Sequence, residues 1–148
     1  MSEIGFYHLT RSKLDTALPA LLARVLAQPG ARAVIRAADE QAVAKLDDLL
    51  WQISDPPWLP HGTAKSGNAD LQPIWITHND DAPNGAKYLF LIGNTECATP
   101  EKFDRIFDLF NGADGQAVNQ ARTRFAAARA GGHVVTYWKQ GPKGWEKN

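Results

Sequence analysis

Arg122, Phe125 and Arg129 stand at i, i+3 and i+7 in a helical stretch near the C-terminus, so they share one helix face. An aromatic ring between two guanidinium groups suits a ligand that joins an apolar side chain to carboxylates. The guanidinium fork can hold a carboxylate through two hydrogen bonds. The same spacing also fits a core stripe, in which Phe125 continues Val118 and Ala121 and the arginines snorkel at its edges. A second cluster is Trp51-Gln-Ile-Ser-Asp-Pro-Pro-Trp58-Leu59-Pro60-His61. Its prolines cannot continue the helical pattern before it, so Trp51, Trp58 and Leu59 border or enter a loop. Such side chains either fold back onto the core or dock another protein. Tryptophan is enriched at interface hot spots, and prolines hold a loop in shape before binding.

Other residue types point to less. His8, His61, His78 and His133 share no metal-ligand spacing, and Cys97 has no second cysteine to pair with. His8 falls at the end of a first strand, where α/β folds place their sites. His78, Asp80 and Asp81 fit a solvated turn. Gly62-Thr-Ala-Lys-Ser-Gly67 fails the P-loop spacing and follows a proline-rich loop rather than a strand. The first strand-to-helix junction, His8-Leu-Thr-Arg-Ser12, lacks the glycines of a dinucleotide fingerprint. No Gly-x-Ser-x-Gly elbow occurs. No catalytic residue, metal or cofactor is indicated.

Sixteen acidic residues balance sixteen basic ones over 148 residues, so no global field selects nucleic acid or membrane. The balance hides a split: residues 39–110 hold twelve acids and five bases, and residues 111–148 hold two acids and six bases. The basic end is where an anionic partner is to be sought. A single cysteine excludes an internal disulfide and fits a reducing cytoplasm. The N-terminus lacks the pattern of a signal peptide, and no apolar run reaches the ~20 residues of a membrane span.

The elements that must position these residues follow from periodicity. Ile4–Leu9, Ala33–Ala37, Ile74–Thr77, Tyr88–Ile92 and His133–Trp138 read as strands. Leu14–Gln28 reads as a helix capped by Asp15 or Thr16, which leaves Pro19 in its first turn. Glu40–Gln52 reads as a helix capped by Asp39, with Val43, Leu46, Leu50 and Ile53 as its apolar stripe and Trp51 off it. Thr99-Pro100-Glu101 signals a third helix, with Phe103, Ile106, Phe107 and Phe110 spaced as its buried face. Asp114 or Gly115 opens a fourth, which Gly131-Gly132 closes. Residues 54–72 read as loop. The connection between Ile74–Thr77 and Tyr88–Ile92 is too short for a crossover helix, so these strands are antiparallel neighbours or not neighbours. The alternation predicts a three-layer α/β sandwich of about five strands, mostly parallel or mixed. Residues 1–139 form its single domain and 140–148 a flexible tail.

Taken in order, Phe6-Tyr7-His8-Leu9, Leu49-Leu50-Trp51 with Trp58-Leu59-Pro60-His61, Ala121-Arg122-Thr123-Arg124-Phe125, and Gly131-Gly132 with Tyr137-Trp138-Lys139 resemble the chi subunit family of bacterial DNA polymerase III. The resemblance implies a Rossmann-like, non-catalytic clamp-loader accessory subunit. It implies that the acidic C-terminal tail of single-stranded-DNA-binding protein (SSB) sits on Arg122 and Phe125, with DNA contacted indirectly, and the helix face they share adds Val118 and Arg129 to the expected site. It also implies that Trp51, Trp58, Leu59, Pro60 and His61 face the psi subunit, where one exists, or a repair helicase. Two departures stand out: Ala126 replaces the family's usual lysine, and the chain runs on past Lys139. The rival expectations are a small nucleotide-binding enzyme and a direct single-stranded-DNA-binding module, the latter opposed by the acidic middle of the chain.

Overall fold

The computed structural model describes residues 2–10, 13–53 and 59–147. Among these residues eleven strands and α-helices follow one another: β1 (Glu3–Leu9), α1 (Leu14–Leu26), β2 (Ala33–Arg36), α2 (Glu40–Gln52), β3 (His61–Thr63), β4 (Ile74–Thr77), β5 (Tyr88–Ile92), β6 (Arg105–Asn111), α3 (Gly115–Ala130), β7 (Val134–Gly141) and β8 (Gly144–Lys147). They build one eight-stranded sheet in the order β3-β4-β2-β5-β6-β1-β7-β8. Every pairing is parallel except β7 with β8. Helices α1 and α2 pack on one face over Ile35, Phe90, Phe107 and Leu109. Helix α3 packs on the other face, over Phe6, Ile106 and Phe110. The expected three-layer α/β architecture is present, with eight strands in place of about five.

Three differences from the sequence reading have physical causes. The third expected helix is a single 3-10 turn, Pro100–Lys102, followed by β6. A parallel strand covered on both faces is apolar along nearly its whole length, and Ile106, Phe107, Leu109 and Phe110 are all buried. That run also satisfies helical spacing. Within residues 54–72, His61–Thr63 forms the edge strand β3, too short to show a period. The expected tail forms the end of β7 and then β8, joined by a turn at Gly141–Gly144. Trp145 of β8 packs edge-on against Tyr7 at 5.1 Å.

Strands β4 and β5 are not neighbours. Both pair with β2, and all three run parallel. The short link between them crosses over β2 as a loop without a helix, from Asn79 beside Arg36 at one end of the strand to Asn84 beside Ala33 at the other. Helix α1 starts after Lys13 without a side-chain cap, so Pro19 lies beyond the first turn, buried inside the helix. Asp39 and Asp114 cap α2 and α3 as expected, accepting hydrogen bonds from Ala42 N and from Gln116 N and Ala117 N.

Candidate functional site

Helix α3 buries only Ala117 and Ala121 fully, so its axis lies close to the sheet and its larger side chains fall at the edges. Val118 and Phe125 are half-buried along one edge. The Phe125 ring meets Phe6 edge-on at 5.3 Å and Tyr137 of β7 at 6.2 Å. Arg122 and Arg129 are exposed on the same side of the helix. The two readings of this stripe therefore merge: Phe125 closes the core and also floors a surface on which Arg122 stands.

The sheet adds residues that linear spacing does not bring together. Strand β7 pairs with β1 so that His8 lies opposite Lys139 and next to Tyr137. His8 Nδ1 and the Tyr137 hydroxyl are hydrogen-bonded, and the His8 ring packs against Phe110. A Cβ at Gly112 would overlap the His8 ring, so glycine is required there. Burial holds the His8 proton affinity below its ordinary value, and the positive charges of Lys139 and Arg122 lower it further. A hydrogen bond to the Gly112 backbone opposes them. Burial pushes the Tyr137 phenol up, against the pull of Arg122. Phe125, Tyr137 and His8 thus form an aromatic floor, and Arg122 and Lys139 give it positive charge. Lys139 brings a basic group where Ala126 brings none.

Arg124, two residues from Arg122, turns inward. Its Nε and Nη2 hold the two Asp108 oxygens at 2.7 and 2.9 Å, and its Nη1 reaches Asn94 at 3.2 Å. Asp108 projects from the middle of β6 and is 2% exposed. Burial pushes its carboxyl up and Arg124 works against that. Nothing in the sequence spacing links these residues, because β6 was not legible as a strand.

The second cluster divides by burial. Trp51 is 62% exposed, and its ring lies 4.7 Å from that of His61. Leu59 belongs to the main core, and Pro60 is half-buried. His61 is buried, with Nδ1 donating to the Leu59 carbonyl at 2.7 Å and Nε2 lying 3.1 Å from the Asp47 carboxylate. Trp58 lies outside the described residues. Among the described residues of the segment, Leu59 and His61 are buried and Trp51 is exposed.

A cleft of about 610 Å³ opens at the carboxyl ends of β1, β5 and β6, lined by Thr10, Asn94, Asn111 and Asp114 among others. Ligands of α/β sheets bind at such switch points. Here the Asp114 carboxylate already occupies the amides of Gln116 and Ala117, the groups with which α3 would hold a phosphate. No group of metal-binding side chains occurs among the described residues. No helix among them is long and apolar enough to cross a membrane.

The fold is a three-layer α/β domain that carries a basic-aromatic surface on α3. Residues 1–136 match the family model described as DNA polymerase III chi subunit, HolC, and the chain belongs to that family, whose members are accessory subunits of the polymerase. It is also similar to a probable DNA polymerase III subunit chi from Rickettsia prowazekii (strain Madrid E), with 28% identity over 98 residues. That alignment covers 66% of this chain and 59% of the relative.

Proposed function

We propose that this protein carries the SSB tail to the clamp loader, holding its acidic, apolar-ended C-terminus on the surface between α3 and β7. The observation that supports this most directly is Arg122, exposed beside the half-buried Phe125 and over the Tyr137–His8 pair. Arg122 takes the terminal carboxylate through its fork, and Val118 and Phe125 line the slot for the last apolar side chain. Arg129, one turn on, meets the peptide's acids and contributes less because it is solvated. The Trp51–His61 segment docks the other partner, psi or a repair helicase, through Trp51 and Trp58, with Leu59, Pro60 and His61 shaping the segment. In this reading the protein is an adaptor rather than an enzyme and works in the cytoplasm.

Titration of an SSB tail peptide against wild type, Arg122→Ala, Arg122→Lys and Arg129→Ala tests it. Arg122→Ala loses the most affinity, and Arg122→Lys does not restore it, because lysine lacks the fork. Binding weakens as salt rises, since exposed charge is screened. Equal affinity for wild type and Arg122→Ala moves the site elsewhere, and no binding by wild type removes the proposal.

A further inference from the structure

The family match ends at residue 136, inside β7, and the rest of β7 pairs with β8 beyond it. Trp138 and Trp145 point from β7 and β8 toward the face that carries α1. Helix α1 packs over β2 and β6 on that face, and α3 lies on the other, which leaves a cleft beside α1. The cleft measures about 380 Å³, with Arg24 and Val25 of α1 on one wall and Trp138 and Trp145 on the other. Its floor is a row of rings: Phe107, Tyr7 stacked against it at 5.5 Å, and Trp138 nearly parallel to Tyr7 at 6.1 Å. Tyr7 lies across Gly5, where a Cβ would come within 2.8 Å of the ring. Both tryptophans are half-buried, whereas Tyr7 and Phe107 beneath them are buried.

The charge around the rings has one sign in excess. Arg24 is exposed on α1, the Arg105 guanidinium lies 4.8 Å from the Phe107 ring centre, and Lys147 Nζ lies 6.0 Å from that of Trp138. Among the described residues Glu3 is the one acid lining the cleft, and it stands 4.0 Å from Arg105. Partly exposed tryptophans flanked by cations are what a single strand of nucleic acid uses: bases stack on the rings and phosphates meet the cations. An acidic peptide would use the cations and leave the ring faces idle. We propose that this cleft binds single-stranded nucleic acid, a base stacking on Trp138 and Trp145 with the flanking phosphates on Arg24, Arg105 and Lys147. The site lies on the opposite face of the sheet from the surface around Arg122, so the two readings stand or fall separately.

The test is fluorescence anisotropy of a labelled all-thymine oligodeoxynucleotide of about 15 nucleotides, titrated with the full chain at low and moderate salt. Wild type binds, with affinity falling as salt rises. Trp145→Ala weakens binding about tenfold or more, by the usual worth of one stacked base, and Arg24→Glu weakens it and flattens its salt dependence, because a phosphate contact is lost. Arg122→Ala leaves it unchanged. Thermal melts accompany each variant. Should Trp145→Ala fail to fold, Arg24→Glu decides, since Arg24 is exposed on α1 and carries no core packing. The proposal is overturned by no binding at low salt, or by wild-type affinity in Arg24→Glu. It is also overturned by equal loss in Arg122→Ala, or by an oligoglutamate peptide that competes as well as the oligonucleotide.

Discussion

Replacing Arg124 by methionine keeps the stem of the side chain and removes the charge that faces Asp108. The carboxylate it leaves is 2% exposed, and its two oxygens lose the donors at 2.7 and 2.9 Å. Removing one member of a buried pair costs about 3–5 kcal/mol, because the other is stranded in a poor solvent. For a chain of this length each kcal/mol lowers the melting temperature by roughly 2–4 °C, so the expected drop is roughly 6–20 °C. Burial already raises the Asp108 carboxyl against the pull of Arg124, and removing the guanidinium raises it further. A carboxyl raised in the folded state favours folding below its unfolded value and loses that contribution as pH rises through the folded value. Relative to wild type, Arg124→Met therefore loses little near pH 4 and the full amount near pH 7. The double variant Asp108→Leu/Arg124→Met recovers most of the loss, since an apolar pair of similar volume is often as stable as a buried ion pair. Urea unfolding at the two pH values measures all of this. A loss below about 1 kcal/mol at pH 7, or the same loss at both pH values, would refute the reasoning.

Other outcomes follow from the site. Leu59→Ala costs about 2–5 kcal/mol of stability as a core truncation, while Trp51→Ala leaves the melt unchanged and weakens a protein partner by roughly 2 kcal/mol or more; melts and pull-downs with psi separate the two. His8, held by burial below the ordinary 6.5 of a histidine, is neutral at pH 7; its contribution to stability is present above that value and lost as pH falls through the folded one. An acidic tail bound beside it raises its proton affinity again, so peptide binding tightens as pH falls from neutrality, and His8→Gln flattens that slope in calorimetry. Gly112→Ala displaces the His8 ring, seen as loss of its NMR contact with Tyr137 and weaker peptide binding.

What could be read from the chain depended on how local the cause was. The Asp39 and Asp114 caps were legible because a cap is settled within three residues. Arg122 and Phe125 were legible as neighbours because one helix carries both. Tyr137, His8 and Lys139 were not, since only the pairing of β1 with β7 brings them beside α3. The sequence around β6 imitates a helix for a specific reason: with Phe103, Ile106, Phe107 and Phe110 as a stripe, Asp104, Arg105 and Asp108 fall on the opposite, polar face, as an amphipathic helix demands. The strand wins because both its faces are covered, and Asp108 is tolerated there only because Arg124 of α3 meets it. A signal for β8 was present in Gly141-Pro-Lys-Gly144, a turn sequence between residues able to pair.

The pair between Arg124 and Asp108 links the core to the proposed surface. Helix α3 meets the sheet mainly through alanines, which bury little area and fix rotation about the helix axis weakly. A bidentate contact to β6 does fix it, because the guanidinium plane must face the carboxylate. With Arg124 turned inward, Arg122 is carried by helical geometry, two residues back, to an exposed position, and Phe125 to the edge against Phe6 and Tyr137. The run Arg122-Thr-Arg124-Phe125 thus encodes two arginines with opposite duties: one holds the helix, and the other is held out by it.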